Sequence, residues 1–239
     1  MIAGSQISSA QTPPIDAGVS RDLARWRAAH YSDVRYKLNL TLEKMSPTLK
    51  GTIEISLKNN ADQIVLDWRK IKGKEQFSSV SNAQINGTAA KFEETNEHLV
   101  FKEGVKTGEN VIKLDFTSPI AASGSAVTRY VDKEDGAEYI YSLFVPSDAS
   151  TAFPVFDQPD LKARFKLDLS VPEEWNVISN EFIRSETINE CWTSSVCPRG
   201  YSFGETKPIS TYVFAFAAGD FAGFDCRSWN CPELPIVNT

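Results

Sequence analysis

Two histidines, His30 and His98, and four cysteines, Cys191, Cys197, Cys226 and Cys231, are the side chains of this sequence best suited to holding a metal or attacking a substrate. A zinc-hydrolase helix needs two histidines one turn apart with a glutamate between them, as in H-E-x-x-H. Here His30 is followed by Tyr31 and His98 by Leu99, far apart in the chain, so the sequence holds no such motif. The cysteines fall in two segments only, with five residues between the first pair and four between the second. One reading is two local disulfides in an exported protein. Another is a four-cysteine zinc site, for which the spacings are looser than usual ligand knuckles. Asp148, Asp157 and Asp160 could form a carboxylate cluster for metal or acid–base work, but the Pro-rich surroundings favour turn capping. Glu173 and Glu174 read as a solvated turn before Trp175. Ser150, Ser194 and Ser210 have no nearby histidine and no nucleophile-elbow context, and Gly200 to Gly204 lacks phosphate-loop spacing.

The elements that carry these residues are mostly strands. Val19 to His30 reads as the one helix, capped by Ser20, with Leu23, Trp26 and Ala29 on a shared face. From Tyr36 the period becomes two: Tyr36, Leu38, Leu40 and Leu42 alternate with polar residues, as do Ile53, Ile55 and Leu57 after the Ser46-Pro47 turn. Ile64 to Trp68 is a short buried strand. Asn86-Gly87 is the strongest tight-turn signal, and Leu99 to Phe101 and Val111 to Phe116 follow as strands, with Ser118 to Ser125 as a loop. Tyr139 to Val145 is an aromatic strand. In Ala163 to Val171 the residues Ala163, Phe165, Leu167, Leu169 and Val171 share one face. Between those two strands, Pro154 and Pro159 fix φ and remove two donors, so the run Phe153 to Pro159 is stiff, with Asp157 placed to accept backbone N–H groups. Short strands at spacings of roughly 8 to 12 residues predict an all-β fold, an antiparallel β-sandwich or saddle with one short N-terminal helix.

Composition fits one folded domain: 239 residues, 41% hydrophobic and 11% aromatic. A net charge of −6 without a basic block argues against a nucleic-acid partner, and no apolar run approaches the roughly 20 residues of a membrane helix. Residues 1–18 read as a disordered tail or leader stub without the features of a secretory signal, which leaves exported, periplasmic and cytoplasmic locations all open. Asn39-Leu40-Thr41 and Asn86-Gly87-Thr88 match the glycosylation triplet, a pattern that also arises by chance.

The run FPVFDQPDLKARFKLDLSVPEEWNVISNE, from Phe153 to Glu181, resembles the FPCFDEPxxKAxFxLxLxxPxxxxxxSN signature of the zinc aminopeptidase N family, in the β domain that precedes the catalytic domain. Glu205 to Tyr212 (ETKPISTY), followed by Val213-Phe214-Ala215-Phe216, is similar to that domain's closing ETxPMSTYLxAF segment. The resemblance covers Tyr31 to Phe221. It implies an organisation of residues 19–221 as an aminopeptidase N-like N-terminal β domain, with 222–239 as an off-pattern C-terminal tail. It further implies a parent enzyme that removes N-terminal residues from peptides with zinc, the catalytic domain being the missing partner and peptide the substrate.

In that family a Gln or Glu on the strand before the FPCFDEP turn reaches the substrate's free amine. The corresponding positions here are Leu143 and Val145, both apolar, so by resemblance Tyr141, Leu143 and Val145 line an apolar pocket and amine recognition falls to the catalytic domain. The alternative for these three is a plain core strand. The family's Gly-x-Met-x-Asn loop and H-E-x-x-H helix are not found, so the expectation for this chain is no catalytic residue, no metal ligand, no cofactor of its own and no peptidase activity alone. The cysteine-bearing stretches are also where the family pattern fails, which adds a third reading of them, a shifted reading frame and a truncated product. The alternative function is a free-standing β module that binds a peptide or protein.

Overall fold

Ser20 starts the single α-helix, α1 (Arg21–His30), its Oγ accepting the N–H of Leu23 at 3.2 Å. A computed structural model describes residues 13–188 and 198–221. The four cysteines, Ser194, residues 1–12 and the tail 222–239 lie outside the described residues, as do the readings made for them. The helix buries Leu23, Trp26 and Arg27, while Ala29 is exposed. An arginine therefore takes the place expected for an apolar residue on the inner face.

The strands in chain order are β1 (Tyr31–Thr41), β2 (Thr48–Asn59), β3 (Ile64–Asp67), β4 (Ser79–Ile85), β5 (Thr88–Ala89), β6 (Glu93–Thr95), β7 (His98–Phe101), β8 (Gly108–Pro119), β9 (Val127–Val131), β10 (Glu138–Ser142), β11 (Ala163–Pro172), β12 (Asn176–Ser179), β13 (Ile183–Ile188), β14 (Pro198–Phe203) and β15 (Phe216–Gly219). They form an eight-stranded sheet in the order β13-β14-β11-β1-β2-β8-β4-β5, a four-stranded sheet β12-β15-β10-β9 and a three-stranded sheet β3-β7-β6. The fold is all-β, and the buried faces of the three sheets share one hydrophobic core. No helix among the described residues is long and apolar enough to cross a membrane.

Alternation decides which residues enter that core. Tyr36, Leu38, Leu40, Ile53, Ile55, Leu57, Phe165, Leu167 and Leu169 are all buried, with their polar neighbours on the outer side. The Asn86-Gly87 turn closes the β4–β5 hairpin with φ of 53° and 81°, values that asparagine and glycine tolerate. Gly51 on β2 is a close-approach glycine: a Cβ there would lie 2.7 Å from the Phe116 ring and 2.9 Å from the Asn39 carbonyl.

Three expectations about strands need correction. The sheets are not wholly antiparallel, because β1 and β11 pair in parallel at the centre of the large sheet, from Val34 opposite Ala163 to Thr41 opposite Ser170. A parallel pair needs a long crossover, and here everything from β2 to the Phe153–Pro159 run supplies it. The strand expected over Tyr139 to Val145 ends at Ser142, after which Leu143 donates to the Ala126 carbonyl outside the ladder. The loop expected from Ser118 starts later, since β8 continues to Pro119 opposite Thr48.

Candidate functional site

β10 is an inner strand of the four-stranded sheet and supplies the first candidate residue. Ile140 pairs with Ala218 of β15, and both are fully buried. Its neighbour Tyr141 pairs with Ala217, which pairs in turn with Ile178 of β12, so these three stand in one row on the opposite, outward side. Past the strand the alternation persists: Leu143 and Val145 point out while Phe144 points in, against Phe153 at 5.5 Å and Phe214 at 6.2 Å between ring centroids. Tyr141, Leu143 and Val145 are 42%, 57% and 53% exposed, so none of the three is a core residue. Ile178 and Phe182 are 63% and 82% exposed. Asn180 ties this region to the turn beyond β14, donating to the Val213 carbonyl at 3.0 Å and accepting the Ala215 N–H at 2.7 Å. Val213 adds another exposed apolar side chain.

The outer side of the large sheet is different in kind. Lys37, Asn39, Thr52, Glu54, Lys113 and Asp115 line a polar hollow of about 570 Å³, with Lys113 paired to Glu54 at 2.8 Å. Of the exposed large apolar side chains, Tyr130, Val131, Tyr141 and Ile178 lie on the small sheet and Leu143, Val145, Phe182, Tyr212 and Val213 on adjoining segments, while Ile183 lies on the edge strand β13 of the large sheet and Met45 on the β1–β2 turn.

What holds the Leu143–Val145 segment in place is the run Phe153 to Pro159 behind it. Val155 exchanges backbone hydrogen bonds with Asp67 at 2.7 and 3.1 Å, a single bridge rather than a ladder. The Tyr36 hydroxyl accepts the Phe156 N–H at 2.9 Å. Thr211 donates to the Phe156 carbonyl at 3.0 Å and Ser210 to the Pro159 carbonyl at 2.6 Å, so the FPVFDQP run and the ISTYVF run bond to each other. Gln158 donates to the Ala24 carbonyl of α1 at 2.9 Å. These bonds carry the stiffness that Pro154 and Pro159 predict.

Beneath this run lies a buried ionic cluster. Arg27 donates two hydrogen bonds to Asp67, at 2.9 and 2.6 Å, and sits over the Phe156 ring. The same carboxylate accepts the Asp157 N–H at 2.7 Å, and His98 Nδ1 lies 2.8 Å from its Oδ1. Burial opposes the Asp67 charge, but Arg27 and His98 override it and hold the carboxyl below the usual carboxylate range. Asp157 accepts the Ser150 N–H at 3.0 Å, a cap on the short turn Ala149–Thr151. Burial pushes its carboxyl up to about 6, the Ser150 N–H pulls it down, and the nearby Asp67 charge raises it further.

A raised folded-state pKa on an acid means that the fold favours the protonated form. The resulting stability is present below the ordinary value of 3.8 and is lost as pH rises through about 6. Asp157→Asn removes the charge and keeps an oxygen for Ser150. Its unfolding free energy relative to the unaltered chain is expected to improve by up to about 3 kcal/mol between pH 4 and pH 7.5, measured by urea titration at each pH.

The other chemical candidates disperse. Asp148 pairs with Arg69, Asp160 is exposed, and Glu174 pairs with Lys44. Ser150 is buried in the turn that Asp157 caps, and Ser210 is spent on Pro159. His30 Nδ1 lies 2.7 Å from the Trp26 carbonyl. Among the described residues no three His, Cys, Asp or Glu side chains stand close enough to hold a metal ion. Arg27 and Asp67 were not singled out from sequence, and His98 was weighed only as a metal ligand. The available signal was a charged residue closing the apolar run Ile64-Val65-Leu66, since a charge inside a buried strand requires a partner.

The chain is 31% identical over 205 residues to "Probable aminopeptidase 1" of Sulfurisphaera tokodaii, spanning 86% of this chain and 24% of that protein. It is 31% identical over 144 residues to "Aminopeptidase N" of Streptomyces lividans, spanning 60% and 16%. The chain therefore spans a quarter or less of the length of these relatives. In three dimensions it superimposes on an M1 zinc metallopeptidase from Deinococcus radiodurans with a TM-score of 0.64 at 20% identity, covering 80% of this chain and 42% of that one. It also superimposes on the Saccharomyces cerevisiae leukotriene A4 hydrolase with bestatin, with a TM-score of 0.65 at 21% identity and coverages of 82% and 29%. The profile of the Peptidase M1 N-terminal domain matches residues 30–213, from the end of α1 through all three sheets to the turn before β15, and on that match the chain belongs to the Peptidase M1 N-terminal domain family.

Proposed function

We propose that this chain is the N-terminal wall of a zinc-dependent aminopeptidase, with the outward face of its four-stranded sheet covered by a catalytic domain. In this reading Tyr141, Leu143 and Val145 line the apolar side of the peptide-binding cleft. The observation that carries the proposal is the cluster of exposed apolar residues Tyr141 and Ile178 in one row of the small sheet, Leu143 and Val145 on the segment after it, and Phe182 and Val213 on the adjoining turns, against a large sheet whose outer side holds a polar hollow. A partner covering that side removes apolar surface from water at about 25 cal/mol per Å².

Leu143 and Val145 have no atom that could accept a hydrogen bond from a substrate ammonium through the side chain. They suit an apolar substrate side chain, and the charged amine is left to groups of the catalytic domain. The described residues do not fit a zinc site either. The His98 nitrogens face Asp67 and two backbone carbonyls, and no further ligands converge on them. Zinc, in this proposal, belongs to the catalytic domain, and the chain alone hydrolyses no peptide.

The chain alone, with zinc added, is expected to release no p-nitroaniline from leucine p-nitroanilide, to self-associate, and to bind an apolar dye such as ANS. Ile178→Lys with Phe182→Lys is expected to lower dye binding severalfold without changing the circular dichroism. Turnover abolished by a chelator overturns the inactivity. A dye-silent monomer that takes up peptides without metal overturns the docking face in favour of a free-standing peptide-binding module.

A further inference from the structure

The stretch Ile15–Gly18 before α1 is held by two side chains, His98 and Asn96. His98 is fully buried at the start of β7, and its Nε2 lies 3.0 Å from both the Asp16 and the Gly18 carbonyl oxygens. Asn96 reinforces the hold, donating to the Ile15 carbonyl at 2.8 Å. The other edge of the ring, Nδ1, lies 2.8 Å from Asp67 Oδ1, a charge contact off the line of the N–H. Each ring nitrogen therefore faces oxygen acceptors and neither faces a donor.

A neutral imidazole has one N–H and one lone pair. Either tautomer here would turn a lone pair against oxygen, toward the Asp67 carboxylate or toward the two carbonyls. The doubly protonated ring gives the two carbonyls an N–H and sets a positive charge against the Asp67 carboxylate. We propose that His98 is an imidazolium that clasps Ile15–Gly18 against the domain, so that this strap is docked by one proton and released when the proton is lost.

The charges around the ring favour the cation. From β3 comes the Asp67 carboxylate, and Arg27 of α1 opposes it from the far side of that carboxylate. Asp157 borders a cavity beside the ring with its carboxylate turned to the Ser150 N–H. Arg69, Glu97 and Asp160 line the same cavity of about 320 Å³, which also borders Gly18 and His98. Asp16 stands on the strap itself. Burial works against the charged ring, but the Asp67 carboxylate overrides it and leaves the His98 pKa above the ordinary histidine value. With the folded pKa raised, the clasp is complete below about pH 6.5 and is lost as pH rises through the higher folded value. The Asp67 carboxylate also accepts the Asp157 N–H, and the Asp67 backbone bridges Val155, so the strap and the segment behind Leu143 and Val145 meet at one residue.

The chain has two histidines, so ¹⁵N-histidine labelling gives two ring spin systems. The His98 ring is expected to show two imidazolium-type nitrogens at pH 6.5. Raising the pH is expected to convert it to a neutral ring while the heteronuclear NOE of residues 15–18 falls with the same midpoint and the circular dichroism stays constant. His98→Gln, which cannot titrate, is expected to leave the strap mobile at every pH. A neutral His98 tautomer at pH 6.5 overturns the proposal, and so does a strap that stays ordered after the ring has lost its proton. The titration of the unaltered chain decides the matter even if the variant does not fold.

Discussion

Asp67→Ala is expected to lower the unfolding free energy by about 3–5 kcal/mol at pH 7, read by urea denaturation. The carboxylate accepts two hydrogen bonds from Arg27 and one from the Asp157 N–H, and it faces His98. Its removal strands a fully buried guanidinium, an imidazole and a backbone donor without their acceptor, and desolvation of an unmatched charge sets the scale of the loss. Asp67→Asn fills the same volume but leaves the cations uncompensated, so it is expected to recover only a minor part. If Asp67→Leu is combined with Arg27→Met, both members of the closest pair become apolar. The double variant should then lose less than the sum of the two single losses, because the pair is costly mainly when half of it is removed. A strictly additive result would mean that Arg27 and Asp67 act independently, against the geometry.

Phe214→Ala is the second large loss, about 3–5 kcal/mol by thermal or denaturant unfolding. The ring stacks on Phe165 of β11 with centroids 4.5 Å apart and planes 9° from parallel, and it also meets Phe144, Phe153 and Phe216. It therefore joins the large sheet, the small sheet and the Leu143–Val145 segment at one point. Truncation opens a cavity that three differently anchored elements cannot easily collapse to fill. Phe214→Leu keeps most of the volume and is expected to cost about 1.5 kcal/mol or less. An alanine effect as small as the leucine one would show that the aromatic cluster relaxes freely.

The sequence carried the local geometry well. Ser20 as the helix cap, Asn86-Gly87 as a tight turn, and the alternation in Tyr36 to Leu42 and Ala163 to Val171 all stand in the structure, because each depends on residues close together in the chain. The two signature runs also marked the region that supports the candidate surface. Alternation is blind, however, to direction, so it could not show β1 lying parallel to β11. It was equally unable to orient β10. Tyr139, Ile140, Tyr141, Leu143, Phe144 and Val145 place apolar residues on both sides, and only packing reveals that Ile140 and Phe144 go inward. The Arg27–Asp67–His98 cluster escaped notice because its members sit on α1, β3 and β7, and nothing in a linear reading pairs an arginine with a distant carboxylate.

The parallel pairing at the heart of the large sheet bears on how the molecule is made. β1 leaves the ribosome shortly before β2 and can pair with it at once, but the strand for its other edge is β11, which begins at Ala163. At ordinary synthesis speeds that partner emerges on the order of ten seconds later. During that interval the nascent chain presents an unprotected edge with Tyr36, Leu38 and Leu40 beside it, an invitation to pairing with a neighbouring nascent chain. Chaperone dependence should therefore be greatest in this window and should fall once the residues through Pro172 have cleared the ribosomal tunnel.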